Sequence, residues 1–340
     1  MAGRLMVPQR AKPGDTVAIV SPSAPGVAWW PHRVARGRAY LESLGLKVRL
    51  MPNAGKGGGG AAGTPQERAA DIHEAFLDER VSVVLASIGG DHSDQVLPHL
   101  DFRLIADHPK ILQGYSDITV LLWAVAVRSG LRTLYGPTLT TELGEFPGVL
   151  PYTDRAMRSA WSGAAPEPFE PAAAWTDERL DLFRKVDLTR SRHMSAGSGW
   201  HAVRDGVAEG PLFGGCLDTI CRHLEGSAYW PDLRGALLFL ETSDEVPTPA
   251  DVDAHLSGLE RRGVFANAAG LVFGRPFGYT GAQKEALWAV VRTRTAASGI
   301  PVLADVDIGH TDPMLTLPMG AQARIDAGAL EFALLEPATA

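Results

Sequence analysis

Two cysteines in 340 residues, Cys216 and Cys221, are too few and too close together for a disulfide framework or a four-ligand zinc site. Free cysteine commonly behaves as a small buried hydrophobe, so a structural role is expected for both. Positive charge is also scarce: 32 Lys and Arg stand against 39 Asp and Glu, giving a formal charge of -7. The basic residues are scattered rather than drawn into a stripe, which argues against nucleic acid as a partner. Long apolar runs are missing as well. The longest, 118–127, is interrupted by Thr119 and closed by Arg128, well short of the roughly 20 residues that a membrane span requires. Residues 1–10 carry two arginines but no apolar core followed by a small-residue cleavage site. No secretory signal is expected, and the cytoplasm is the expected location.

What is present is the composition of a folded, soluble chain, 45% hydrophobic and 21% charged, without a long polar tract or an internal repeat. The length predicts two domains. Short apolar runs alternate with helical patterns through the first half, the signature of a mainly parallel sheet covered by helices. Strands are expected at 16–21 (TVAIVS), 46–51, 81–88 (VSVVLASI) and 111–113. Helices are expected at 31–44, at 118–128, and after Thr64, where Glu67 three residues on completes a capping pattern. From 147 to about 210 the periodicity weakens and reads as a linker with a long loop, a length more often functional than inert. Beyond it, 210–224 predicts a turn and helix, 236–241 (ALLFLE) a strand, 249–262 a helix, and 271–274, 302–306 and 321–326 further strands. The expected division is an N-terminal α/β domain at 1–150, a linker and loop at 151–209, and a β-rich α/β domain at 210–335.

The turn Gly114-Tyr115-Ser116-Asp117 follows a strand and opens a helix, so the Ser116 hydroxyl stands near a helix N-terminus and the Asp117 amide near any oxyanion formed there. Such a turn has the logic of a nucleophile elbow, although Ile118 occupies the place of the second glycine in G-x-S-x-G. Serine and aspartate are also favoured helix caps, and local sequence leaves that alternative open. Gly89-Gly90-Asp91 ends another apolar strand, where glycine lets backbone amides approach a ligand or simply makes a tight turn. Glu241 closes the strand ALLFLE, and His310 follows the strand VLADV. A serine needs a base, and a histidine base needs an acceptor to hold its tautomer. Spacing alone does not bring the three together.

Several separated blocks resemble, in order, the LD-carboxypeptidase family of serine peptidases (peptidase family S66). They are Lys12-Pro13-Gly14-Asp15 with 17–22, Ser87-Ile88-Gly89-Gly90, Leu97-Pro98-His99-Leu100-Asp101, Pro109-Lys110, and Gly114 through Thr119. The second half adds 210–217, Leu240-Glu241, 270–274 and Ile308-Gly309-His310. The likeness spans about 12–327. It implies an N-terminal α/β sandwich domain carrying the serine and a C-terminal β-rich domain carrying the acid and base. By it Ser116 is the nucleophile, His310 the general base and Glu241 its orienting acid, with the amides of Gly90 and Asp117 as oxyanion donors. It implies no metal and no organic cofactor, and an assembly that is often a homodimer.

The family has one branch that trims murein tetrapeptide and another, like the microcin C immunity peptidases, that cleaves an amide joining an amino acid to a nucleotide-like group. The long 161–200 segment, the phrase Ile88 through Ser93 and the block 210–230 lean toward the second. A small peptide or aminoacyl-nucleotide is then the expected substrate. Gly89, Trp175, Phe183 and Trp200 are candidate substrate contacts, the aromatics by stacking on a base or, alternatively, by packing the linker onto the body. Cys216 stands where many relatives are expected to carry Asn. A binding protein that keeps the fold without catalysis is the alternative of another class, and an α/β-hydrolase esterase is a third.

Overall fold

The pentapeptide Thr16–Val20 offers no charged side chain to water on either face, which suits a strand covered on both sides. In the computed structural model, which describes residues 4–340, it lies inside a six-stranded sheet. The order is Leu317–Pro318, Leu134–Tyr135, Ile111–Gly114, Val81–Ala86, Thr16–Val20, Lys47–Leu50. All neighbours are parallel except Leu317–Pro318, an antiparallel edge contributed from far down the chain. Helices Pro31–Ser43, Pro65–Leu77 and Thr119–Ser129 belong to this half. Thr64 caps the second of them reciprocally: its Oγ1 accepts from Glu67 N (3.3 Å) and Glu67 Oε2 accepts from Thr64 N (2.9 Å).

The second sheet has eight strands in the order Pro168–Phe169, Glu331–Leu334, Gln322–Asp326, Val207–Cys216, Leu237–Glu241, Gly270–Gly274, Val302–Val306, His201–Arg204. Its centre is parallel, from Val207–Cys216 to Val302–Val306, and its flanks are antiparallel. The architecture is the α/β class expected, a parallel-rich sheet in the first half and a β-rich sheet in the second. No helix among the described residues is long and apolar enough to cross a membrane.

Two local expectations are corrected. Residues 210–224 do not form a turn and helix, because Val207–Cys216 is a ten-residue strand and helix is confined to Leu217–Thr219 and Ile220–Leu224. Its glycines let neighbouring backbone approach: a Cβ on Gly214 would collide with the Phe239 carbonyl oxygen. The stretch read as a linker also holds regular structure, beginning in helix Pro151–Ser162. It then supplies edge strands Pro168–Phe169 and His201–Arg204 to the second sheet and forms the small hairpin of Ala174–Trp175 with Ser195–Ala196.

Helix Thr119–Ser129 holds the two sheets together. It is buried over most of its length, Trp123 Nε1 donates to the Gly214 carbonyl (2.7 Å), and Cys216 N donates to Thr119 Oγ1 (3.2 Å). Cys216 is in parallel register with Glu241, so this contact brings the end of Leu237–Glu241 toward the N-terminus of the helix that follows Ser116. Replacing Gly214 by Ala should therefore cost about 3 kcal/mol through overpacking. Chemical denaturation checks this, and an unchanged midpoint would show that the strands can part freely.

Candidate active site

Ser116 has φ +62°, a left-handed conformation that costs a non-glycine residue about 1 kcal/mol or more. The strand Ile111–Gly114 ends two positions before it, with Tyr115 between, and a short 3₁₀ turn, Ser116–Ile118, leads into helix Thr119–Ser129. Gly114 makes room for the turn, since a Cβ there would lie 2.8 Å from Ile118 Cγ2. Glycine at 114 thus accommodates the isoleucine that replaces the usual second glycine. The helix-cap alternative does not describe this turn, for neither Ser116 nor Asp117 makes a side-chain cap hydrogen bond.

The Ser116 hydroxyl instead lies 2.9 Å from His310 Nε2, and His310 Nδ1 lies 2.8 Å from Glu241 Oε2. Glu241 has no exposed surface. Its other oxygen accepts from the Tyr135 hydroxyl (2.6 Å), which itself accepts from the Ser116 amide (3.3 Å). Burial, and after it the Glu241 carboxylate, push the Tyr135 phenol well above its ordinary pKa, so it remains a donor. Burial pulls the His310 pKa down, but the charge and hydrogen bond of Glu241 outweigh it and the net shift is upward from 6.5. A Cβ on Gly309, at φ +92°, would collide with Glu241 Oε2, so glycine is what lets the carboxylate reach the ring. Tyr135 was not singled out by sequence reasoning. The available signal was a tyrosine paired in register with Gly114, at the same end of the sheet as the serine.

Gly89 and Gly90 border the same serine. A Cβ on Gly89 would sit 3.2 Å from Ser116 Oγ and 3.4 Å from Asp117 N, so this backbone lies directly against the turn. Gly90 has φ +143°. Neither the Gly90 nor the Asp117 amide has an acceptor among the described residues.

The site opens into a cavity of about 420 Å³. One wall is aromatic: Trp30, Phe183 and Phe277 line it, with the Phe183 ring 5.6 Å from Trp30 and 6.0 Å from Trp29. Charged residues line the cavity too, and the Arg179 guanidinium lies 5.2 Å from the centre of the Phe277 ring. Arg192 pairs with Glu145 (2.8 Å) and Asp312 (2.7 Å), Arg33 pairs with Glu145 (3.3 Å), and Arg179 pairs with Asp244. Glu142 accepts from the Tyr115 hydroxyl (2.8 Å), and burial, then Asp312, push its carboxyl up to about 7.

The aromatic candidates separate clearly. Phe183 is exposed on the cavity wall. Trp200 is a correction: it is buried, its Nε1 donates to Asp307 Oδ2 (2.9 Å), and it packs on Phe332 away from the cavity. Trp175 is half-buried and lies under the Arg275 guanidinium at 5.0 Å, outside the cavity lining. Trp30, some 150 positions before Phe183, was missed because nothing in local sequence links the two. Cys216 is buried, and burial followed by Glu241 raises its thiol, which leaves it protonated and unreactive.

Residues 17–136 match the LD-carboxypeptidase N-terminal domain, and residues 209–325 match the LD-carboxypeptidase C-terminal domain. Together they define the class, a hydrolase of the carboxypeptidase type. The chain belongs to the LD-carboxypeptidase family, peptidase family S66. It is 32% identical to a probable murein peptide carboxypeptidase of Bacillus subtilis, over 96% of each chain. It is 31% identical to the microcin C7 self-immunity protein MccF of Escherichia coli, over 92% of this chain and 91% of that one. A solved structure of MccF in complex with aspartyl sulfamoyl adenosine superposes with a TM-score of 0.89 at 30% identity, covering 98% of this chain and all of that one.

The upward shift of His310 carries a sign. A raised folded pKa adds stability below the unfolded value near 6.5, and that contribution is lost as pH rises through the folded value. In Glu241→Gln the raising charge is gone and burial prevails, so the imidazole pKa should fall below its value in the unaltered protein. Titration of the His310 ring by NMR checks this, and an unmoved pKa would mean that Glu241 does not govern the ring.

Proposed function

We propose that this chain is a serine amidase in which Ser116 is the nucleophile, His310 the general base and Glu241 the acceptor that holds the ring. The observation that supports it best is the unbroken hydrogen-bonded line from Ser116 Oγ through both ring nitrogens to Glu241, built on a serine at φ +62°. His310 Nε2 takes the hydroxyl proton while the Ser116 oxygen bonds to the substrate carbonyl carbon, and Glu241 stabilises the imidazolium. The free amides of Gly90 and Asp117 are the proposed donors to the resulting oxyanion. The imidazolium proton then passes to the leaving amine as the C–N bond breaks. Water, deprotonated by the same ring, releases the acyl group and restores the serine.

The proposed substrate is an aminoacyl or peptidyl nucleotide, cleaved at the amide next to the nucleotide-like group. Two things support it: the wall formed by Phe183 and Trp30, flat apolar faces suited to a nucleobase, and the likeness to MccF, whose structures hold sulfamoyl nucleosides. A murein tetrapeptide is the second reading. It is supported by the 32% identical murein peptide carboxypeptidase and by Arg179 on the cavity wall, a guanidinium able to hold a terminal carboxylate. A cytoplasmic homodimer with the site between an N-terminal and a C-terminal domain belongs to the same proposal.

Ser116→Ala should lower kcat by about 10⁴-fold or more while leaving the melting temperature near that of the unaltered protein. Retention of full amide cleavage would remove the serine mechanism. Offered a murein tetrapeptide and an aminoacyl-sulfamoyl adenosine side by side, the enzyme should hydrolyse the second, and Phe183→Ala should raise its KM by about 10-fold, a stacking contribution of 1–3 kcal/mol. Cleavage of the tetrapeptide alone would select the other substrate.

A further inference from the structure

Arg68 is an arginine with 2% of its surface exposed, and among the described residues no carboxylate lies within ion-pair distance of it. A buried cation without a contacting anion is costly, so its position is constrained by what it holds. Its guanidinium donates to three groups: the carbonyls of Pro22 and His92 (2.7 Å to His92) and Gln95 Oε1 (2.8 Å). Pro22 lies in the loop after the first strand, and His92 and Gln95 lie in the segment that follows Gly89-Gly90. Arg68 therefore ties together the two loops that border Gly90.

The Asp117 side chain grips the same segment from the other side. Asp117 is 2% exposed, and its Oδ2 accepts from the amides of His92 (3.1 Å) and Ser93 (3.0 Å). The grip is returned, since Ser93 Oγ donates to the Asp117 carbonyl (2.7 Å). Ser23 Oγ also accepts from the His92 amide (3.0 Å), and the Ala24 amide donates to the Gly89 carbonyl (3.0 Å). Oδ1 of Asp117 is buried and has no hydrogen-bond partner among the described residues, so Oδ2 alone makes the side chain's contacts.

These contacts have a geometric consequence. Two separate strand-end turns carry the Gly90 and Asp117 amides, and nothing in either turn alone sets the distance between them. The Asp117 side chain spans the gap, from the residue that owns one amide to the residues just after the other.

We propose that the Asp117 carboxylate and Arg68 form a clamp that fixes the separation of the two amides facing the reacting carbonyl, which makes both side chains positioning residues for acyl transfer. This rests on the reading of Ser116 as nucleophile. The clamp acts on the oxyanion, which exists only in the transition state and the tetrahedral intermediate, so its loss affects kcat and spares KM. A misplacement of about 1 Å costs about 100-fold in rate.

The test uses the full chain and whichever of the two substrates it cleaves, with Ser116→Ala measured in parallel. Asp117→Ala is expected to lower kcat by about 100-fold with KM changed by less than about threefold. Asp117→Asn keeps an acceptor oxygen for His92 N and Ser93 N, and should restore kcat to within about 10-fold of the unaltered enzyme. Arg68→Lys keeps the charge but cannot span the three acceptors, and should lower kcat by about 10-fold or more. Thermal melting of each variant separates misfolding from misplacement, and Asp117→Asn and Arg68→Lys keep the proposal testable if Asp117→Ala does not fold. Unchanged kcat in a folded Asp117→Ala or in Arg68→Lys, or a loss shared equally by kcat and 1/KM across the folded variants, overturns the clamp while Ser116→Ala remains inactive. Full activity in Ser116→Ala would overturn the reading of the site itself.

Discussion

Glu241 is a carboxylate with no exposed surface, set at the end of a strand in the middle of the second sheet. An ionised group in such a place costs several kcal/mol unless every lone pair finds a partner. Its partners come from different parts of the molecule: Tyr135 from the first sheet and His310 from the turn after Val302–Val306. Both lead back to Ser116, one through the amide and the other through the hydroxyl. Satisfying this one buried charge therefore requires the two sheets to be in register with each other, and the contact of Trp123 and Thr119 with Val207–Cys216 provides that register.

The same logic explains where glycine is needed. Gly309 lets the carboxylate meet the imidazole, Gly114 makes space for Ile118 behind the strained serine, and Gly214 lets two parallel strands close beside helix Thr119–Ser129. Each removes a Cβ at a point where backbone and a functional group must approach. The strain at Ser116 is held by this surrounding structure, as positive φ at a non-glycine residue requires.

Much of the first sheet was legible because its strands are short, uninterrupted apolar runs, and the capping pair Thr64 and Glu67 marked a helix start by chemistry that acts within four residues. The strand Val207–Cys216 was not, because the four glycines and prolines within it look like turn residues while their actual use depends on a neighbour 25 positions away. The aromatics of the 161–200 segment were equally opaque: Phe183 and Trp200 are alike in local context, yet one lines the cavity and the other fills the core. What separates them is a hydrogen bond to Asp307, more than a hundred residues downstream.

The sequence by itself determined the α/β class, the family, and the residue types available at strand ends, because those depend on periodicity and on motifs read in order. It left Ser116 between a helix cap and a nucleophile, since a hydroxyl before a helix suits both. Only the tertiary structure decided which partner the hydroxyl meets, turning it toward His310 and away from its own helix. The physical reason is that a cap is satisfied within one turn of chain, whereas the line from Ser116 to Glu241 spans 125 positions and exists only when both sheets have closed around a buried charge.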